Sequence, residues 1–68
     1  MEKVRSTNIA RVGYDAQSKT LAVEFRNGSI YHYHGIDQDK HDEFMRAESK
    51  GKYLHQHIKG RYTVQRYV

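Results

Sequence analysis

The sequence contains no cysteine, and this absence excludes both disulfide bonds and zinc sites built on thiolates. A run of about 18 apolar residues, the length that indicates a membrane-spanning helix, is also missing. Residues 1–5 carry no apolar stretch of the kind found in a signal peptide, so we expect a cytoplasmic protein. A chain of 68 residues must then rely on aromatic packing for stability, and it has 6 tyrosines and 2 phenylalanines.

Linker-like composition is absent as well. No Pro-rich, Gly/Ser-rich or low-complexity stretch and no internal repeat interrupts the sequence. We therefore predict one domain over residues 1–68. Its start at Met1 favours a protein that works by itself over a segment that works only when fused to an enzyme.

Acidic residues are missing from the last 20 residues of the chain. All 8 acids lie within residues 1–48, where the net charge is −1, whereas the C-terminal stretch has a net charge of +5. Its cations are Lys50, Lys52, Lys59, Arg61 and Arg66. The sequence thus predicts a basic field at the C-terminal end that suits an acidic partner.

Alternation of apolar and polar residues predicts a β-hairpin in the first half of the chain. Residues 20–26 alternate with a period of two, and residues 30–34 resume a β pattern after the turn signal Asn27-Gly28. Residues 8–14 are rich in β-forming side chains and predict a first strand. Weaker alternation over residues 62–68 predicts a final strand that returns to the sheet.

Two pairing registers are open to this hairpin. A two-residue turn would direct His32 and His34 toward the core, whereas a three-residue loop with Gly28 in the left-handed region would direct Tyr31 and Tyr33 there. Because a shift of one residue exchanges the two faces of a strand, burial favours the second register. That register pairs Val23 with Tyr31 and Leu21 with Tyr33.

Helix signals follow the hairpin. Asp37 is expected to cap a helix within residues 38–48, and Ser49 to cap a second helix that ends at Gly60. Together the elements predict an α+β fold in which a small antiparallel sheet packs against two short helices. The expected core comprises Leu21, Val23, Phe25, Tyr31, Tyr33, Phe44, Leu54 and Ile58.

Four motifs follow one another in a characteristic order. They are Ser6, Ile9, Val12 and Tyr14; Leu21-x-Val23-x-Phe25; Asn27-Gly28 with Tyr31-x-Tyr33; and Ala47-x-Ser49-x-Gly51-x-Tyr53 with Ile58 and Tyr62. In this order they resemble the KTSC family, which is named after a segment at the C-terminus of some lysyl-tRNA synthetases. The family also includes free-standing small bacterial and phage proteins. The resemblance covers nearly the whole chain and implies RNA binding, a role suggested by the synthetase context.

The chain departs from the family pattern at two positions. Asp37 stands where members often carry a proline after the third strand, so a side chain is expected to cap the helix here. His55 stands where relatives often carry an amide, so the resemblance assigns no role to this position.

The basic C-terminal stretch with its interleaved tyrosines is the strongest functional signal. Its cations would contact phosphates and its aromatic rings would stack on bases, which predicts binding of RNA or single-stranded nucleic acid. The predicted binding residues are Lys50, Lys52, Lys59, Arg61, Arg66, Tyr53 and Tyr62. The alternatives are a solvated basic edge and a surface that binds an acidic protein partner.

Two further segments have both a structural and a functional interpretation. Residues 49–52, Ser-Lys-Gly-Lys, would either cap a helix or also contact a phosphate at its start. Tyr31 and Tyr33 would form a base-stacking platform if they were exposed, but the favoured register buries them.

Catalytic and metal-binding patterns are weak. His32 and His34 share a strand face, but no cysteine or suitably spaced carboxylate completes a metal site. Spacing identifies no arrangement of histidine, serine and an acid. We therefore predict no catalytic residue, no cofactor and no enzyme activity, and we predict no membrane partner; the sequence does not indicate an oligomeric state.

Overall fold

Five antiparallel strands form one sheet whose spatial order, β1-β2-β3-β4-β5, is also their order in the chain. The computed structural model describes residues 2–4 and 8–68. The strands are β1 (Glu2–Lys3), β2 (Ile9–Asp15), β3 (Thr20–Phe25), β4 (Ile30–His34) and β5 (Thr63–Arg66). Between β4 and β5 lie α1 (Gln38–Arg46), α2 (Lys50–Tyr53) and a π-helical segment (Leu54–Ile58). The α+β prediction is confirmed, with β1 as an additional short strand, and Ser6 lies outside the described residues.

The β3–β4 hairpin has the register that burial favoured. Leu21 pairs with Tyr33 and Val23 with Tyr31. The N–H of Phe25 donates to the carbonyl of Ser29 at 2.8 Å, which closes a loop of three residues. Gly28 in this loop has a φ of +92°, a conformation that L side chains rarely adopt.

A β-bulge in β2 brings two residues into the core that the sequence analysis does not place there. The pairing of β2 with β3 shifts between Ile9 and Arg11, so Ile9 and Val12 are both buried although they are three residues apart. These two residues and Ile36 join the core. Phe25 and Tyr31, which are expected in the core, are partly buried and pack against its margin.

The segments α1, α2 and the π-helical segment form what we call the helical layer. It covers one face of the sheet and buries three apolar side chains, Phe44, Leu54 and Ile58. Its predicted caps are present: Asp37 Oδ1 accepts from the N–H of Lys40 at 2.9 Å, and Ser49 Oγ accepts from the N–H of Lys52 at 3.4 Å. The second helix differs from the expectation, because α2 has one turn and then widens into the π-helical segment. None of the described helices is long and apolar enough to cross a membrane.

Candidate functional site

A groove lies between the tip of the β3–β4 hairpin and the helical layer. Its volume is about 490 Å³. The lining residues come from the start of β2, the hairpin tip, β4, α2 and the residues that follow it. We call this feature the aromatic–basic groove; it is lined by Asn8, Phe25, Arg26, Asn27, Ser29, Tyr31, Tyr33, Gly51, Leu54, His55 and Lys59.

The hairpin tip forms one wall of the groove, and its sequence accounts for its shape. Asn27 Oδ1 accepts from the N–H of Ser29 at 2.9 Å, while Gly28 supplies the positive φ that the three-residue loop requires. The N–H of Arg26 donates to the carbonyl of Asn8 at 2.8 Å, which ties the tip to the start of β2. These bonds hold the Arg26 backbone in place beside the groove.

Three aromatic rings form the inner wall. The rings of Phe25 and Tyr31 meet edge to face, with centroids 5.5 Å apart and planes at 88°. Tyr31 and Tyr33 are nearly parallel, with centroids 6.5 Å apart. Burial, and to a smaller extent the neighbouring Tyr31, raises the pKa of Tyr33 above its usual value of 10.0, so this phenol stays neutral at physiological pH. The wall is therefore apolar and uncharged, and two of its three rings are partly exposed.

Cations surround this aromatic wall. Arg26 and Lys59 line the groove, and Arg66 on β5 lies with its Cζ atom 5.8 Å from the centroid of Tyr31. An Nη atom of Arg66 also donates to Ser29 Oγ at 3.4 Å, so the guanidinium is held against the hairpin. The described residues that line the groove include no carboxylate. The arrangement therefore attracts anions and offers aromatic contact beside them.

The π-helical segment places Lys59 on the opposite wall. The N–H of Lys59 donates to the carbonyl of Leu54 at 2.7 Å, the i to i+5 bond that closes the wider turn. Gly51 lies nearby, and a Cβ atom there would meet Nδ2 of Asn8 at 3.5 Å. The helical layer thus reaches the start of β2 on this side of the groove.

The cations predicted from sequence divide into two groups. Lys59 lines the groove, and Arg66, which is not among the lining residues, lies over the ring of Tyr31 beside it. Lys50, Lys52 and Arg61 are not among its lining residues. Lys50 Nζ donates to the carbonyl of Ala47 at 3.3 Å, and Arg61 Nε donates to the carbonyl of Gln56 at 3.3 Å.

Neither tyrosine predicted as a stacking residue lines the groove. The ring of Tyr53 packs against Phe44 and His57, with centroids 5.9 and 4.6 Å away, and its hydroxyl donates to Glu43 Oε1 at 2.7 Å. Burial, followed by this hydrogen bond, raises the pKa of Tyr53 to about 12. Tyr62 is partly buried against the core. Both tyrosines therefore have packing roles in the helical layer and its junction with β5.

Sequence reasoning missed Arg26 and Phe25 as site residues and assigned Tyr31 chiefly to the core. The available signal was local: Phe25 and Arg26 adjoin the Asn27-Gly28 turn, and a hairpin tip places such side chains at the end of a sheet. The hairpin tip and Lys59 line the same groove only because of the path that the helical layer takes. The sequence pattern does not reveal this path.

The other face of the sheet carries a more open recess of the same volume, about 490 Å³, whose lining includes His32, His34 and Tyr67. His32 packs against Tyr67 with centroids 4.1 Å apart, and His34 Nε2 lies 3.0 Å from Gln65 Oε1. Within the described part of the chain, no three histidine or acidic side chains are grouped so that they could hold a metal ion.

Comparison with known proteins gives consistent similarities. A family model for the KTSC domain matches residues 5–62. The crystal structure of a KTSC domain protein from Yersinia pestis superposes with a TM-score of 0.92 at 34% identity, covering 98% of this chain and 94% of that chain. A protein from Tsukamurella paurometabola is 32% identical over 62 residues, which is 91% of this chain and 92% of that protein.

Part of a much larger enzyme is similar as well. A lysine–tRNA ligase from Trichormus variabilis is 35% identical over 60 residues, which is 88% of this chain. This chain spans only 11% of the length of that ligase. The similarity is therefore to one segment of the ligase.

Proposed function

This chain belongs to the KTSC domain family, and we propose that it is a non-enzymatic module that binds single-stranded nucleic acid, RNA in particular, in the aromatic–basic groove. The observation that carries the proposal is that partly exposed aromatic rings lie close to cations from three parts of the chain: the hairpin tip, the end of the π-helical segment and β5. Tyr31 and Phe25 line the groove together with Arg26 and Lys59, and Arg66 lies over the ring of Tyr31.

Nucleic acid suits this combination of groups better than other anions do. Proteins that bind single strands combine a positively charged groove, which follows the phosphates, with aromatic side chains on which bases stack. A simple anion would use the cations and leave the rings without a function. Some relatives with a matching segment are lysine–tRNA ligases, enzymes whose name states that they act on tRNA, and this supports RNA as the first ligand to test.

The remaining C-terminal cations have a secondary role in the proposal. Lys50, Lys52 and Arg61 extend the positive field beyond the groove and raise the local concentration of a polyanion. They are not expected to contact bases. An acidic protein is the alternative partner, and the test below includes the result that would favour it.

The proposal is tested by amide NMR titration with a mixed-sequence single-stranded RNA and its DNA equivalent, at about 50 mM and 200 mM salt. We expect shifts that concentrate at residues 25–33, Gly51 and Lys59 and that fade at the higher salt concentration. Tighter binding of DNA than of RNA would contradict the preference for RNA. If neither nucleic acid shifts any amide at low salt, the nucleic-acid proposal fails, and an acidic protein partner becomes the better hypothesis.

Two charge-matched double variants locate the site. Arg26→Gln with Lys59→Gln removes two charges at the groove, and Lys52→Gln with Arg61→Gln removes two charges outside it. Each phosphate contact contributes about 0.7 to the slope of log K against log salt for a single strand, so loss of a phosphate contact that Arg26 and Lys59 share should lower that slope by about 0.7. The control variant should lower the slope less and weaken binding less. Equal losses in the two variants would mean that the C-terminal basic stretch acts as a whole and that the groove has no special role.

A further inference from the structure

The dimensions and chemistry of the aromatic–basic groove indicate the form of nucleic acid that it accepts. Building on the function proposed above, we propose that the groove takes one unpaired nucleotide, with its base against Tyr31 and Phe25 and its phosphate between Arg26 and Lys59. The domain would then select single strands over duplexes and discriminate little between bases.

The size of the groove supports a single nucleotide. Its volume of about 490 Å³ is in the lower half of the range of roughly 300–1,000 Å³ over which protein pockets hold one small ligand. A nucleotide is a ligand of this size, whereas a base pair within a stacked helix is wider and rigid. A duplex would therefore contact the cations at the edge of the groove without placing a base inside it.

The aromatic wall requires a base whose face is free. In a duplex each base stacks on its neighbours and pairs along its edge, so its face is not available to a protein ring. Tyr31 and Phe25 both line the groove and are only partly buried, so part of each side chain is accessible from it, although Arg66 lies over the Tyr31 ring. Contact with these rings therefore selects an unstacked nucleotide.

Arg66 is a positioning residue for Tyr31 in this arrangement. It lies 5.8 Å from the Tyr31 centroid and donates to Ser29 Oγ, so it joins β5 to the ring and to the hairpin tip. A planar guanidinium can lie against a ring while it donates to a neighbour, and an ammonium group cannot reproduce both contacts.

The polar side chains at the hairpin tip suggest little recognition of base identity. The side-chain oxygen of Asn27 accepts from the N–H of Ser29, and the hydroxyl of Ser29 accepts from Arg66. These groups hold the groove together and are partly occupied before a ligand arrives. Stacking on a ring is tolerant of sequence because every base has an aromatic face.

The test compares four single-stranded RNA homo-octamers, a mixed-sequence single-stranded octamer, and the blunt duplex of that octamer with its complement. We expect the single-stranded octamer to bind at least about tenfold more tightly than the duplex, and the four homo-octamers to agree within about tenfold, because stacking carries the selection. Equal binding of single strand and duplex would overturn this inference while leaving nucleic-acid binding intact. Absence of binding by every probe would instead overturn the proposed function itself.

Two matched tyrosine variants test the position of the base. Tyr31→Leu should weaken binding of the single strand by about 5- to 150-fold, the range measured for loss of base–aromatic stacking, and should leave duplex binding unchanged. Tyr67→Leu makes the same change at an exposed tyrosine on the other side of the sheet and should leave both affinities unchanged. Equal losses in these two variants would contradict the placement of the base.

A second variant keeps the inference testable if Tyr31→Leu does not fold. Arg66→Lys preserves the charge and should still weaken single-strand binding severalfold, because the ammonium group cannot hold Tyr31 and Ser29 together. Its salt dependence should stay the same, since no charge is lost. Unchanged affinity in this variant would refute the positioning role of Arg66.

Discussion

Replacement of Tyr33 by alanine should remove a large part of the stability of this domain. The side chain is 4% exposed and lies on β4 opposite Leu21, so its loss leaves a cavity in the core. Truncation of a buried aromatic side chain costs about 3–5 kcal/mol. A domain of this size has a total stability of roughly 3–10 kcal/mol, so the variant should be close to unfolding.

The neighbouring residue on the same strand is the matched control. His32 lies on the opposite face of β4, where it is partly exposed and contacts Tyr67. Loss of that ring contact should cost about 1 kcal/mol. The contrast between the two variants tests the register, because a two-residue turn would exchange the faces and reverse the order of the costs.

Urea denaturation followed by circular dichroism measures both effects. With an m-value of about 1 kcal/mol per molar urea, at the low end of the range for small proteins, a loss of 3 kcal/mol moves the midpoint by about 3 M. If Tyr33→Ala is unfolded in buffer, Tyr33→Leu takes its place in the test. Leucine keeps part of the side-chain volume, so this variant should have a urea midpoint below that of wild type and should still fold. Equal or greater destabilisation by His32→Ala would refute the assignment of the two faces.

Two further predictions concern ionisation and backbone conformation. The folded state raises the pKa of Tyr53 to about 12 from its usual value of 10.0, so the unfolded chain loses this proton first, and stability should fall as pH rises from about 10 to 12. Phenolate absorbance and urea midpoints should be measured from pH 10 to 12. Tyr53→Phe should lose less stability than wild type over this range. Parallel profiles of stability against pH for the variant and wild type would contradict the raised pKa of Tyr53. Gly28→Ala should cost about 1–2 kcal/mol because φ is +92°; no atom of the described residues other than its chain neighbours lies within 4 Å of the added Cβ, so the cost is conformational. An unchanged urea midpoint for this variant would mean that the loop adopts another turn type.

Local patterns were sufficient to predict most of the secondary structure. The clean alternation of residues 20–26 and the burial argument gave the register of the hairpin, which the pairing of Val23 with Tyr31 confirms. Asp37 and Ser49 were identified as caps because a short side-chain acceptor preceded each helical pattern. These features depend on neighbours in sequence, and sequence reasoning handles them well.

Features that depend on irregular backbone were not predicted. The bulge in β2 places Ile9 and Val12 on one face, which breaks the period of two on which strand assignment depends. The sequence pattern predicts an ordinary helix over the π-helical segment, because Leu54 and Ile58 are four residues apart in either case.

The candidate site illustrates the limit of reasoning from charge runs. The C-terminal cations are predicted as a site because they are close in sequence; of these, Lys59 lines the groove and Arg66 lies over the ring of Tyr31 beside it. Arg26 was missed because it lies in a stretch of balanced charge more than thirty residues away from Lys59. Only the tertiary arrangement shows that the two residues line one cavity.

The position of β5 has a consequence for the dynamics of the domain. All four residues of this edge strand are exposed, and its partner β4 is separated from it in the chain by the whole helical layer. Such long-range pairing closes late in folding and opens at low free-energy cost, so its amides should exchange with solvent before those of β3. Each opening would also carry Arg66 away from Tyr31. If the groove holds a nucleotide as proposed, local unfolding of this one short strand would limit how long the nucleotide stays bound.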